Sequence, residues 1–271
     1  MSESNAIEKL PFPLTRSLLE KEIKQLGVTR GMTLLVHSSL RSLGWVCGGP
    51  VAVIQALMDA LTPAGTLVMP THSGDLSDPA EWQNPPVPEA WHQIIRDTMP
   101  PFDPRLTPTR GMGRIPELFR TWPGVLRSNH PQVSFAAWGK AAKFVTDGHG
   151  LVNALGETSP LARVYDLDGS VLLLGVGYDS NTSFHLAEYR APGAKPVING
   201  APVLENGRSR WTTYADIQFN DDETFPAIGK AFDETGRVTV GKVGAAECRL
   251  YRQREGVDFA EAWIGEYRRK T

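Results

Sequence analysis

Apolar residues recur in the first quarter of the chain with two different periods. Over 15–26, Leu18, Leu19, Ile23 and Leu26 share one side of a helical spiral, which predicts an amphipathic helix capped by Thr15 and ended by Gly27. The runs 32–36 and 65–69 are short and almost wholly apolar, as expected of strands buried on both faces. Between them, Val53, Ile54, Leu57 and Leu61 line one side of a second helix, 51–61, entered through the glycine-rich 44–49 with Pro50 at its first turn. Polar residues follow both strands: His37-Ser38-Ser39 after the first, Thr71-His72-Ser73 after the second. Helix, strand, helix, strand in this order predicts an α/β domain.

The texture changes over 74–110. This stretch is rich in proline, carries Asp75, Asp78 and Glu81 close together, and holds Trp82 and Trp91. A segment of that length without a period is functional or disordered, and the tryptophans favour an ordered flap. Beyond it the pattern predicts a helix over 114–122 with Pro116 in its first turn, a turn at 127–131 and a strand over 133–138. Helices are predicted over 139–146 and 161–165, the second started by Ser159-Pro160. The apolar run 171–174 reads as a further buried strand, followed by a turn through Gly175, Gly177 and Asp179 and a helix capped by Asn181 or Thr182. The runs 197–204 and 209–219 flank Asn206-Gly207 and predict a hairpin. Helices over 225–232 and 259–267, with short strands at 237–240 and 246–251, complete an α+β C-terminal portion. The expected organisation is one domain over 1–271 behind a loose leader at 1–13, with 195–271 as a candidate sub-domain.

Composition narrows the function classes. The 271 residues suffice for a sizeable core, and 41% hydrophobic with 21% charged residues is the balance of a soluble globular protein. A net charge of −2 and a pI near 6.3 give no reason to expect nucleic acid or a membrane surface as partner. Cys47 and Cys248 are far apart and form no CxxC, so neither a disulfide framework nor a cysteine zinc site is expected. No basic segment followed by an apolar core opens the chain, and no run nears the roughly 20 apolar residues that span a bilayer. A cytoplasmic protein is expected.

Three strand ends carry the candidate chemistry. His185 and Glu188 are three apart in the helix after 171–174, so both side chains fall on one face. An imidazole titrates near neutral pH, and a carboxylate one turn away would orient it as a general base. The same pair also fits a structural histidine packed against its helix. Open α/β sheets gather their chemistry at the C-terminal ends of their strands. If the three strands are neighbours, His37, Thr71 and His185 converge on one edge. No GxSxG elbow surrounds Ser38 or Ser39, which argues against a serine nucleophile. Gly48-Gly49-Pro50 would offer backbone N–H groups to a phosphate, although no Walker or Rossmann pattern accompanies it. The acids at 75, 78, 81 and 221–223 either attract a polycation or form solvated loops. His37, His72, His185 and Glu188 could supply metal ligands, but no HExxH element or Asp–His cluster is present and no metal is expected.

Five segments in order resemble the aminoglycoside 3-N-acetyltransferase family: LLVHSSLRSLGWVCGGP (34–50), GTLVMPTHSGD (65–75), RSNHPQVSFAAWG (127–139), SPLARVYDLDGSVLLLGVG (159–177) and NTSFHLAE (181–188). The resemblance implies a mixed central sheet flanked by helices, with acetyl-CoA as cosubstrate and no metal. It implies acetyl transfer to the 3-amino group of a 2-deoxystreptamine antibiotic by direct attack, giving resistance. Carried onto this chain residue by residue, His185 corresponds to the general base, Glu188 orients it, and His37 and Thr71 lie beside the thioester. Ser38, Ser39 and Leu40 fall where the pantetheine arm is held, and Thr109, Arg110 and Gly111 near the cofactor. Asp75, Glu81 and Glu223 would face the polycation. Another amine acceptor, a metal-dependent amidohydrolase and a non-catalytic binding module are the alternatives. The sequence leaves the preferred acceptor and the oligomeric state open.

Overall fold

The computed structural model describes residues 3–8, 10–220 and 224–270; Asp221, Asp222 and Glu223, the predicted acidic cluster, lie outside the described residues. Helix α1 (Glu3–Ile7) is followed by α2 (Arg16–Gln25), which starts as predicted: Thr15 is extended, its hydroxyl accepts the N–H of Leu18, and Leu19 and Ile23 are buried. Strand β1 (Thr33–Ser38) runs two residues past its predicted end and takes in His37 and Ser38. Ser39 caps α3 (Leu40–Leu43), a short helix that periodicity does not predict. Helix α4 (Gly49–Leu61) opens through Gly48 at φ 87°, a conformation glycine adopts without strain, with Pro50 in its first turn.

Strand β2 (Thr66–Pro70) leads into the flap, which holds α5 (His92–Thr98). Then come α6 (Arg114–Phe119), β3 (Leu126–Arg127), β4 (Phe135–Gly139), α7 (Ala142–Thr146), α8 (Pro160–Asp166), β5 (Ser170–Leu174) and α9 (Ser183–Arg190). The C-terminal portion adds β6 (Pro196–Glu205), β7 (Arg208–Ile217), α10 (Thr224–Asp233), β8 (Thr239–Val243), β9 (Ala246–Arg252) and α11 (Gln253–Lys270).

Seven strands form one sheet in the order β3-β4-β2-β1-β5-β9-β8. β2, β1 and β5 are parallel, with Leu35 opposite both Val68 and Val171, and the outer strands join antiparallel. The sheet is therefore mixed, as expected. β8 and β9 complete it through β5, whereas β6 and β7 form a separate ribbon turned at Asn206-Gly207, both at positive φ.

Alternation along the strands divides the core. Leu34, Val36, Leu67, Met69, Leu172 and Leu174 pack with residues of α2, α4 and α6. Leu35, Val68, Val171 and Leu173 pack with residues of α8, α9 and α11 on the other face. Each such buried leucine or valine contributes roughly 1.5–3 kcal/mol. His37 has the parity of Leu35, which turns its ring toward the α9 side.

The structure departs from the predicted pattern in further places. A two-residue strand, β3, pairs Leu126 and Arg127 with β4 where a turn is predicted. The flap is bonded to the ribbon, since Ser209 Oγ donates to the Met99 carbonyl and the Phe102 N–H to that of Pro202. Neither Asn181 nor Thr182 caps α9 through its side chain. Helix α11 is longer than predicted because Gly256 interrupts its pattern; a Cβ there would lie 2.6 Å from the Tyr251 ring, so the glycine serves close packing. Among the described residues no helix is long and apolar enough to cross a membrane.

Candidate active site

The C-terminal ends of β2, β1 and β5 lie side by side because these strands are parallel and adjacent. A cavity of about 850 Å³ opens there. It brings together His37, Ser38, Ser39 and Leu40 from the end of β1, Gly111 from the return of the flap, and His185 from α9. Arg41 and Arg114 share its wall with one carboxylate, Asp179, and the first residue of α4, Gly49, also borders it. The wall thus carries excess positive charge next to a helix N-terminus, which suits phosphate oxygens.

His185 is the part-exposed member of a buried pair. Its Nδ1 lies 2.6 Å from Glu188 Oε2; the imidazole is 21% exposed and the Glu188 side chain 0%. Their spacing of three residues on α9 makes the contact possible. The other carboxylate oxygen, Oε1, accepts the Asn220 N–H at 2.6 Å. Arg268 Nη1 donates to the carbonyls of Glu188 and Ala191 and so closes the C-terminal end of the helix. A carboxylate can only accept, so the hydrogen-bond network assigns the ring proton to Nδ1 and leaves the Nε2 lone pair available. The rings of Phe219 and Phe225 pack on the imidazole at 4.3 and 4.8 Å.

His37 is buried, and its Nε2 lies 3.4 Å from Thr182 Oγ1. Burial, together with the nearby His185, pushes its pKa down to about 3. At neutral pH the ring is therefore uncharged and still carries one N–H. The Ser38 Oγ is buried with no hydrogen-bond partner among the described residues. A buried hydroxyl without a partner is uncommon and calls for an occupant of the adjoining space.

Other candidates do not reach the cavity. The cavity wall takes Pro70, whereas Thr71 is wholly buried and its hydroxyl meets Ser134 Oγ and Arg127 Nε, each at 3.2 Å. The Thr109 N–H donates to Glu117 Oε2 at 2.7 Å and the Arg110 N–H to the His72 carbonyl at 2.8 Å. Asp75 lies 3.9 Å from the Arg110 guanidinium, and Glu81 is exposed on the flap. Neither Asp75 nor Glu81 borders the cavity. Glu223 lies outside the described residues. Sequence reasoning missed Asn220, Phe219 and Phe225, which surround the His185 pair; two aromatic residues flanking an acidic run were the available signal. Among the described residues no three His, Cys, Asp or Glu groups are placed to share a metal ion.

This fold is similar to that of solved structures, aminoglycoside acetyltransferases among them. The chain covers 99% of the crystal structure of YokD from Bacillus subtilis with 99% of its own length, at a TM-score of 0.97 and 50% identity. It covers 98% of AAC-IIIb, solved as a binary complex with CoASH, with 94% of its own length, at a TM-score of 0.84 and 30% identity. Its class is that of an acyltransferase. Residues 35–265 match the aminoglycoside 3-N-acetyltransferase family, and the chain belongs to it. It is 52% identical over 259 residues, 95% of each chain, to the SPbeta prophage-derived aminoglycoside N(3')-acetyltransferase-like protein YokD of Bacillus subtilis (strain 168). It is 36% identical over 280 residues to aminoglycoside N(3)-acetyltransferase VIII of Streptomyces fradiae, covering 97% of this chain and 96% of that one.

Proposed function

We propose that this enzyme transfers the acetyl group of acetyl-CoA to the 3-amino group of a 2-deoxystreptamine aminoglycoside and so confers resistance to it. The observation that carries the reading is the 2.6 Å contact between His185 Nδ1 and the buried Glu188, which frees Nε2 at a cavity also bordered by Ser38, whose hydroxyl has no partner among the described residues. The names of the aminoglycoside N(3)-acetyltransferase relative and the CoASH complex of a structural neighbour support the two substrates.

An aliphatic amine is protonated at neutral pH and has no lone pair to offer. In this reading His185 Nε2 takes its proton, and Glu188 holds the resulting imidazolium in place. The amine nitrogen bonds to the acetyl carbon, the C–S bond breaks, and the sulfur leaves as the thiolate to be protonated to CoA thiol. Charge developing on the carbonyl oxygen is met by the N–H of neutral His37 and the Ser38 hydroxyl. Ser39 and Leu40, with Gly111 opposite, hold the pantetheine arm, and Arg41, Arg114 and the start of α4 receive the phosphates. Asp75, Glu81 and Glu223 are proposed contacts for the acceptor's other ammonium groups. Asp78 is already engaged by Arg96 at 2.6 Å.

The test is thiol release from acetyl-CoA across 4,5- and 4,6-disubstituted aminoglycosides and apramycin. His185→Ala is expected to lower kcat roughly 10²–10⁴-fold. An unchanged rate removes the base, and wild-type turnover on simple amines alone reassigns the acceptor. Chelation is expected to leave the rate unchanged; a loss restored by a divalent ion would favour a metal-dependent amidohydrolase instead.

A further inference from the structure

The flap 74–110 leaves the sheet just after β2 and returns just before α6, and both ends meet at one side chain. At the departure, Arg127 Nη2 donates to the Thr71 carbonyl at 2.7 Å and to Ser73 Oγ at 2.9 Å. At the return, Nη1 donates to the Thr107 carbonyl at 2.5 Å and the Pro104 carbonyl at 3.4 Å. Nε is shared between Ser134 Oγ at 3.0 Å and Thr71 Oγ1 at 3.2 Å. The five N–H donors of the guanidinium are therefore all engaged. Two further bonds cross the same neck: Ser73 Oγ donates to the Pro108 carbonyl at 2.9 Å, and the Arg110 N–H to that of His72 at 2.8 Å. Phe102, at the return, lies against the guanidinium at 4.9 Å.

All these acceptors are neutral carbonyls and hydroxyls. Burial pushes the Arg127 pKa down to about 10, so keeping a cation here opposes folding. What the planar fork supplies in return is geometry: it reaches acceptors on both flap ends and on the residues before β4 at once. The neck lies between two parts of the cavity wall, Pro70 at the end of β2 and the segment from Gly111 to Pro116 at the flap's return, while Arg127 itself does not border the cavity.

We propose that Arg127 is a positioning residue that clamps the neck of the 74–110 flap and thereby sets the separation of the two cavity walls that receive the substrates. The clamp acts on binding and leaves the proton transfer at His185 untouched. Its kinetic readout rests on the acetyl-transfer reading given above.

The test is Arg127→Lys, which keeps the charge but offers a point ammonium in place of the fork. The KM values for acetyl-CoA and for the aminoglycoside are expected to rise roughly ten-fold each, the effect of losing one hydrogen bond from a charged donor. The pH dependence of kcat should stay as in the wild type. Limited trypsin digestion should speed up after Arg105 and Arg110, whose side chains are 86% and 65% exposed at the neck, relative to cleavage after Lys140 and Arg237. Ser73→Ala, which removes one acceptor of the fork together with the Ser73–Pro108 bond across the same neck, should move both readouts the same way by less. Unchanged KM and digestion would overturn the clamp. So would a lower kcat with a shifted pH profile, which places Arg127 in the chemistry. A uniform rise in digestion at all sites in both variants also overturns it, because Arg127 then holds the whole fold. Digestion needs no substrate, so a wrong acceptor assignment leaves it unchanged.

Discussion

Exchanging Glu188 for glutamine alters one atom and, in this site, reverses a tautomer. The two carboxylate oxygens are held by different partners: Oε1 accepts the Asn220 N–H and Oε2 faces His185 Nδ1, both at 2.6 Å. Glutamine has one accepting end and one donating end. A backbone N–H can never accept, so the glutamine oxygen stays on Asn220 and its NH₂ turns to His185. That NH₂ donates to Nδ1, so the ring proton moves to Nε2, the atom that has to be unprotonated in the proposed mechanism. The flipped amide would restore the active tautomer but set its NH₂ against the Asn220 N–H. Glu188 is 0% exposed, so water does not relieve either donor. Two unsatisfied buried donors cost about 2–6 kcal/mol, which limits the active form by roughly 30- to 3 × 10⁴-fold. In a Ser-His-Asp triad the corresponding aspartate-to-asparagine exchange lowers kcat roughly 10⁴-fold, near the upper end of this range.

The assay is kcat for thiol release by Glu188→Gln, with KM for acetyl-CoA and the thermal midpoint as controls. We expect kcat to fall within that range while KM stays close to the wild-type value. Nitrogen shifts of the His185 ring report the proton position directly and should change from Nδ1–H to Nε2–H. A variant that keeps kcat within about three-fold, or that keeps Nδ1–H, refutes the argument from Asn220.

Two further predictions concern stability. His37, His130 and His149 are buried, and burial pushes their pKa values down to about 3, 3 and 4. Each binds its proton more readily in the unfolded chain, so stability is intact above about pH 6.5 and falls below it by about 1.4 kcal/mol per pH unit per histidine; a thermal midpoint that stays flat from pH 7 to pH 5 contradicts this. Gly229→Ala would put a Cβ 2.0 Å from the ring of Tyr178, whose hydroxyl is held by Asp233 at 2.7 Å, and is expected to cost about 1–3 kcal/mol in urea unfolding. An unchanged urea midpoint would show that Tyr178 can yield.

The elements readable from the sequence are those whose cause is local. Strands β1, β2 and β5 are buried on both faces and appear as bare apolar runs, and α2 carries its cap in Thr15. Asn206-Gly207 announces the ribbon because few other pairs adopt positive φ twice. The pair His185 and Glu188 is readable because a spacing of three needs only a helix. Strand order was not readable, since nothing local says that β1 lies between β2 and β5 or that β4 and β9 join them antiparallel. Arg127 was hidden for a similar reason: β3 has two residues, too few for any period, and its bonding partners lie 20 to 56 positions away or next to its paired strand. Thr71 shows how much a displacement of one residue matters, since its neighbour Pro70 borders the cavity while its own hydroxyl points to Ser134 and Arg127.

The same distinction bears on what the HLAE element can establish. It supplies an imidazole and a carboxylate on one face of α9, but a carboxylate with both oxygens free could rotate, hydrate or leave the ring. What fixes it is the N–H of Asn220, 32 residues further on, and what shields the pair is Phe219 beside that N–H and Phe225 at the start of α10. Arg268, from α11, closes the same helix from a third direction through the carbonyls of Glu188 and Ala191. The proposed base is thus positioned by the course of the chain after the β6–β7 ribbon as much as by the residues of α9. It follows that a change in the path of residues 218–220 which leaves the segment 185–188 untouched should lower kcat without affecting KM for acetyl-CoA. Asn220→Pro is the sharp form of that change, because it removes the N–H that Oε1 accepts; Asn220→Ala, which removes only the side-chain amide whose Oδ1 faces Arg268, is its control. In the double variant the flipped amide no longer meets an N–H, so recovery of part of the Glu188→Gln loss would place both residues on one interaction; additive losses would separate them.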